Sequence, residues 1–70
     1  MKKSFSDRDL EIIRLICKEE TSKSIASKIC LSKRSVENIR QQIMRDMGVV
    51  SIAGMVIYAI KNNLVNIEEL

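Results

Sequence analysis

The run from Leu31 to Val49 constrains this chain most, because it carries a helix start, a helical period and a helix stop in one continuous stretch. Ser32 is placed to cap the first free amides, with Leu31 before it and Val36 after it as a hydrophobic staple. Gly48 supplies the left-handed residue that ends a helix, and Val49 can fold back onto Met44 or Ile43. Between these ends Val36, Ile43, Met44 and Met47 recur at helical spacing as an inward stripe, whereas Lys33, Arg34, Glu37, Asn38, Gln41 and Arg45 point elsewhere. That outer face mixes cations, which hold phosphate, with Asn and Gln amides, which pair bidentately with adenine in a major groove. A solvated helix face carries the same kinds of residue, so the face alone leaves both readings open.

The charge around this run narrows the choice. From Thr21 to Arg45 the cations are Lys23, Lys28, Lys33, Arg34, Arg40 and Arg45, set against Glu37 alone, a local excess of five in a chain whose net charge is only +3. Such a concentration suits a polyanion, nucleic acid being the usual one, although a basic surface kept for solubility would look similar.

The chain leads into this region through two shorter helices. Phe5-Ser6-Asp7-Arg8-Asp9-Leu10 has the parts of a helix start: Ser6 as cap, Asp9 three residues on as a capping-box partner, Phe5 and Leu10 as the staple. Leu10, Ile12, Ile13, Leu15, Ile16 and Cys17 follow, too many apolar positions for one narrow seam, which predicts a core helix covered on more than one side. Thr21 is a fresh cap for a helix of about two turns, whose inward residues are Ile25, Ala26 and Ile29. Ala26 is small where two helices must approach closely. Cys30 and Leu31 then leave only a tight turn before Ser32, the arrangement of a helix-turn-helix that offers its second member to the major groove.

Beyond Gly48, Ser51 can cap a fourth helix from Ile52 to about Asn62, with Asn62 or Asn63 standing in for the left-handed glycine. Met55, Val56, Ala59 and Ile60 can face the core, which leaves Ala53, Ile57 and Tyr58 on another side. A helix apolar on every face needs a second partner: either a symmetric dimer contact through this helix, or the tail from Leu64 to Leu70 folding over the spare face. The predicted class is all-α, with four helices at about 7–18, 22–29, 33–47 and 52–62, in one domain over residues 5–65 with short tails at 1–4 and 66–70.

Several classes fall away. Seventy residues suffice for one small domain whose function must lie on its outside. With two cysteines and no histidine, neither a disulfide framework nor a zinc site has its parts, and Cys17 and Cys30 read as small buried hydrophobes in a reducing compartment. There is no glycine-rich phosphate loop and too little chain to wall a pocket, so no catalytic residues, metal or cofactor are expected and the chain does not read as an enzyme. No apolar run approaches the roughly 20 residues of a membrane span, and the N-terminus lacks a signal-peptide core, which predicts a soluble cytoplasmic protein without a membrane partner.

The pieces together resemble the LuxR/GerE-type helix-turn-helix domain, the effector module of bacterial response regulators and related transcription regulators. Phe5-Ser6-x-Arg8-Asp9 stands for the Leu-Thr-x-Arg-Glu opening, and Ile12-Ile13-Arg14-Leu15-Ile16 for the body of the first helix. Thr21-Ser22-Lys23-Ser24-Ile25-Ala26 matches Ser-Asn-Lys-Glu-Ile-Ala, and Leu31-Ser32-x-x-Ser35-Val36 matches Ile-Ser-x-x-Thr-Val. Ile43-x-x-x-Met47-Gly48-Val49 and Ala59-Ile60-x-x-Asn63-Leu64-Val65 complete the match. Three positions depart from it: Ile39 stands where many members have His, Ile52 where many have Arg, and Glu19 where glycine is frequent.

The resemblance implies a third helix that enters the major groove of double-stranded DNA and a fourth helix that pairs two copies, through Ala53, Ile57 and Tyr58 here. It implies base contacts by Glu37, Asn38 and Gln41, and phosphate contacts by Lys23, Ser32, Lys33, Arg34, Ser35, Arg40 and Arg45. RNA polymerase is a further partner to expect of such a regulator. The alternative is a protein-interaction module that keeps the scaffold without binding DNA, a reading that Ile39, Ile52 and Glu37 would suit.

Overall fold

The computed structural model describes residues 5–70 as four helices, α1 (Asp7–Cys17), α2 (Ser22–Ile29), α3 (Lys33–Met47) and α4 (Ile52–Lys61), followed by a single 3-10 turn at Ile67–Glu69. The class is all-α, as expected. α1 and α4 each stop one residue before the expected end, because Lys18 and Asn62 serve as caps. The expected tail at 1–4 lies outside the described residues.

Each helix starts on the hydroxyl that the sequence nominates. Ser6 accepts from the Asp9 amide at 3.1 Å while the Asp9 carboxylate accepts from the Ser6 amide at 3.4 Å, closing a capping box. Thr21, Ser32 and Ser51 accept from the amides of Ser24, Ser35 and Gly54 at 3.1, 3.0 and 3.1 Å. Each such cap satisfies an amide that the helix leaves free and contributes about 1 kcal/mol.

All four helices also stop in the same way. One or two residues past each end a residue turns left-handed, at Glu19, Cys30, Gly48 and Asn63. The next amide then reaches back five residues: Glu20 to the Leu15 carbonyl, Leu31 to Ala26, Val49 to Met44 and Leu64 to Ala59, at 2.8–3.1 Å. Gly48 and Asn63 suit this conformation, whereas Glu19 and Cys30 bring a Cβ into it at a cost of about 1 kcal/mol each. The geometry corrects the expected burial of Cys30: it occupies the left-handed position of the turn, off the core-facing stripe of α2, and is exposed. Cys17 is buried on α1 as expected, and that burial raises its thiol pKa above the ordinary value.

α1 packs against each of the other three helices, which is the coverage its apolar excess demanded. Ile12, Ile13, Ile25, Val36, Ile43 and Met55 are fully buried, each contributing about 1.5–3 kcal/mol of burial. On α2, Ala26 is buried and Ile29 half-buried; on α3, Met47 is buried and Met44 half-buried. The Cα radius of gyration, 11.2 Å, matches the value of about 11 Å for a folded chain of this length, so one core serves all four helices. No single helix among the described residues is long and apolar enough to cross a membrane.

α4 buries Met55 and Ala59 and rests Val56 and Ile60 half-buried against the core. The tail closes this side with Val65 buried and Leu64 half-buried, but Ile67 and Leu70 stay exposed and Ile57 remains 58% exposed. Ala53 is exposed as well. Tyr58 is half-buried, its ring meeting Phe5 edge-on with centroids 6.5 Å apart, which ties α4 to the residue before the α1 cap.

Candidate nucleic-acid interface

The turn between α2 and α3 holds Cys30, Leu31 and Ser32, so the two helices pack directly and α3 turns one long side to solvent. Lys33, Arg34, Glu37, Asn38, Gln41 and Arg45 are all exposed on it, as their spacing predicts. Glu37, Asn38 and Gln41 line one open depression together with Arg40 and Met44. The three expected base-contacting residues therefore stand side by side, beyond the reach of the protein's own core.

Exposed cations share this helix and the one before it. Among the described residues the ion pairs are Arg14 with Glu11 at 2.8 Å and Lys28 with Glu20 at 3.0 Å. Lys23, Lys33, Arg34 and Arg45 thus have no carboxylate partner there, and Lys28 is the one cation of the basic segment that does. The placement of Lys33 and Arg34 is unfavourable for the helix itself. They occupy the first turn of α3, which holds no acidic residue, and they add positive charge to the positive end of the helix dipole. An arriving anion would relieve that repulsion and meet free amides as well.

The hydroxyls at this helix start bond to one another. Ser32 accepts from the Ser35 amide and donates its proton to Ser35 Oγ at 2.9 Å, so the proton left over is the one on Ser35. Further along, Arg45 donates to Gln42 at 3.4 Å, and Gln42 donates to Asp46 at 3.1 Å, a chain along the helix that holds Arg45 at the surface.

Arg40 differs from the other cations. Its guanidinium is half-buried and donates through Nη1 to the hydroxyl of Ser22, the first residue of α2. Ser22 was not among the expected functional residues, yet it is the buried polar side chain of the described core. The signal was present in the spacing: Ser22, Ile25, Ala26 and Ile29 share one helical face, so a core-facing serine required a partner. Glu20 was also missed. Ser24 donates to one of its oxygens and Lys28 to the other, and these contacts, the Ser24 hydrogen bond first, lower its pKa from the ordinary value.

The two apolar departures have a structural reason, since Ile39 and Ile52 both pack, half-buried, against the core. The third, Glu19, holds the left-handed position that glycine would take without strain. Among the described residues no cluster of three or more acidic, cysteine or histidine side chains is placed to hold a metal ion.

Comparison with known proteins agrees with this geometry. The family model described as bacterial regulatory proteins, luxR family, GerE, matches residues 3–59. The chain belongs to that family. It is 40% identical over 62 residues to the oxygen regulatory protein NreC of Staphylococcus aureus, covering 89% of this chain and 29% of that protein. It is 29% identical over 65 residues to a candidate transcriptional regulator of Pseudomonas aeruginosa, covering 93% of this chain and 31% of that one. The chain thus spans about three tenths of the length of these relatives. The crystal structure of ChrA, a response regulator in a heme-sensing two-component system, superimposes with a TM-score of 0.84 over 93% of this chain and 32% of that one. At 20% identity that likeness speaks for the fold alone. The luxR-family domain is a helix-turn-helix of DNA-binding transcription regulators, and the four helices here form it.

Proposed function

We propose that this chain binds double-stranded DNA sequence-specifically to regulate bacterial transcription, with α3 in the major groove. The observation that carries the reading is the start of α3, where Lys33 and Arg34 crowd the positive pole of a helix, with no acidic residue in its first turn. Such a placement costs the folded state unless an anion is the intended ligand. In this reading Lys23, Lys33, Arg34, Arg45 and the hydroxyls of Ser32 and Ser35 meet phosphates. Arg40, with N–H groups beyond the one given to Ser22, stands at the margin of that set. Asn38 and Gln41 read purine edges, and Glu37 accepts from a cytosine amino group, the one base donor in the major groove besides adenine's. The binding unit is residues 5–65. Two copies meet through Ala53, Ile57 and the exposed part of Tyr58 on α4, so that the operator has two half-sites. Regulation would then act on RNA polymerase at a promoter in the cytoplasm.

The test is selection from a random-sequence duplex pool at two salt concentrations. A recovered motif whose binding weakens as salt rises supports the reading, and two-fold symmetry in it supports the dimer. Arg34→Ala should lower affinity for all sequences and reduce the salt slope by about 1, whereas Asn38→Ala should relax preference at one or two positions, by about 1–3 kcal/mol. The exposed Ile57 favours one other reading, a module that docks on another protein. A partner bound through that face would hold on as salt rises, and failure of every duplex at low salt would leave this reading in place of DNA binding.

A further inference from the structure

We infer that Ser22 is a positioning residue for the recognition surface: through its hydrogen bond to Arg40 it sets the place of α3 against α2, and with it the discrimination between DNA sequences. The inference deepens the DNA-binding reading and rests on it for its effect on discrimination.

Three observations converge on this joint. The Arg40 to Ser22 bond spans 18 residues, while every other side-chain hydrogen bond among the described residues spans eight or fewer, so it alone joins one helix to another. Ser22 is the buried polar side chain of the described core, only 5% exposed, and it can reach nothing outside the protein. Arg40 is the one cation from Thr21 to Arg45 that is not exposed. The rest of the α2–α3 contact is apolar, carried by residues such as Ile25, Ala26 and Val36. Apolar packing favours closeness but has little directional preference, whereas a guanidinium bonded to a buried hydroxyl requires a narrow range of distance and angle. The bond therefore narrows the rotation and height of α3 on α2 that the apolar packing leaves open. Arg40 lines the same depression as Glu37, Asn38 and Gln41, which places the joint immediately beside the residues that would read bases.

The experiment uses Ser22→Ala, which removes the acceptor and leaves every charge in place, and Arg40→Met, which keeps the apolar stem and removes the donors. The affinity ratio of the selected duplex to a scrambled one is measured for each variant, with the salt slope. Ser22→Ala should lower that ratio about fivefold and leave the salt slope unchanged, since no phosphate contact is lost. The double variant should discriminate no worse than Arg40→Met alone. If Ser22→Ala keeps the wild-type ratio, or if it weakens both duplexes equally, Ser22 does not position the reading residues. In the free protein, unfolding of the two single variants and the double variant should show coupling by a factor of about five in the equilibrium constant. The amide NMR signals of Glu37, Asn38 and Gln41 should also shift in Ser22→Ala. Additive unfolding with unmoved α3 signals would overturn the joint whether or not DNA binds, whereas a pool selection with no motif would overturn the DNA reading and, with it, the claim on discrimination.

Discussion

α1 and α3 begin with the same backbone device and with opposite charges. Ser6 and Ser32 each cap the amide three residues on, but Asp7 and Asp9 flank Arg8 in the first turn of α1 and leave it net negative, whereas Lys33 and Arg34 stand in that of α3 with no acidic residue beside them. The first arrangement is what stability alone would select: carboxylates at the positive pole of a helix, one of them completing a capping box. The second opposes the dipole. Where two helix starts in one small domain share a cap and differ in charge, the helix that departs from the stabilising pattern is the one we propose meets an anion.

Reversing the charge at α3 should break that comparison most visibly. Lys33→Glu with Arg34→Glu should reduce DNA affinity on the order of 100-fold, through phosphate repulsion, while raising stability by about 0.3–1 kcal/mol per site as the dipole is satisfied. Denaturant unfolding and duplex titration on the same preparation would check both signs. A variant that lost stability as well as binding would show that the cations serve the fold.

At α1 the opposite outcome is expected. Ser6→Ala should cost about 1 kcal/mol of stability by freeing the Asp9 amide from its cap, with duplex affinity unchanged once the protein is folded. A change of DNA affinity at a temperature well below the unfolding transition would remove the contrast between the two helix starts.

A third variant sharpens the point at the other end of α1. Glu19→Gly should stabilise the chain by about 0.5–1 kcal/mol, because the left-handed backbone there then carries no Cβ. Thermal unfolding would measure it, and a loss of stability would mean that the glutamate side chain stabilises the turn by more than its backbone strain costs.

The smallest effect is pH-dependent. Glu20 has a lowered pKa in the folded chain, through Ser24 first and Lys28 next, so it contributes stability above its unfolded pKa, and that contribution is lost as pH falls through the folded value. Wild type should therefore exceed Glu20→Gln in melting temperature near neutral pH, and the gap should close in the acid range below ordinary glutamate titration. A gap that persisted there would assign the effect to shape.

The caps, and the stops at Gly48 and Asn63, were legible because each involves residues three to five apart, whose geometry the helix itself imposes. The exposed set on α3 was legible for the same reason: a period of 3.6 residues divides an inward stripe from an outward face before any neighbour is known. Cys30 was misread because an apolar flank suggests burial, while the side chain's fate depended on which residue of the turn went left-handed. Tyr58 likewise had two faces open to it, and only its edge contact with Phe5, far off in sequence, decided how much of it stays free.

What the sequence determined by itself, then, was the set of four helices, their boundaries to within a residue, and the charged face of α3, since these follow from local hydrogen bonds and local periodicity. Only the tertiary structure decided that Arg40 turns inward to Ser22 and that Ile57 stays uncovered. Those outcomes depend on how helices lie against one another, a global balance of burial and directional bonds that no short stretch of chain contains.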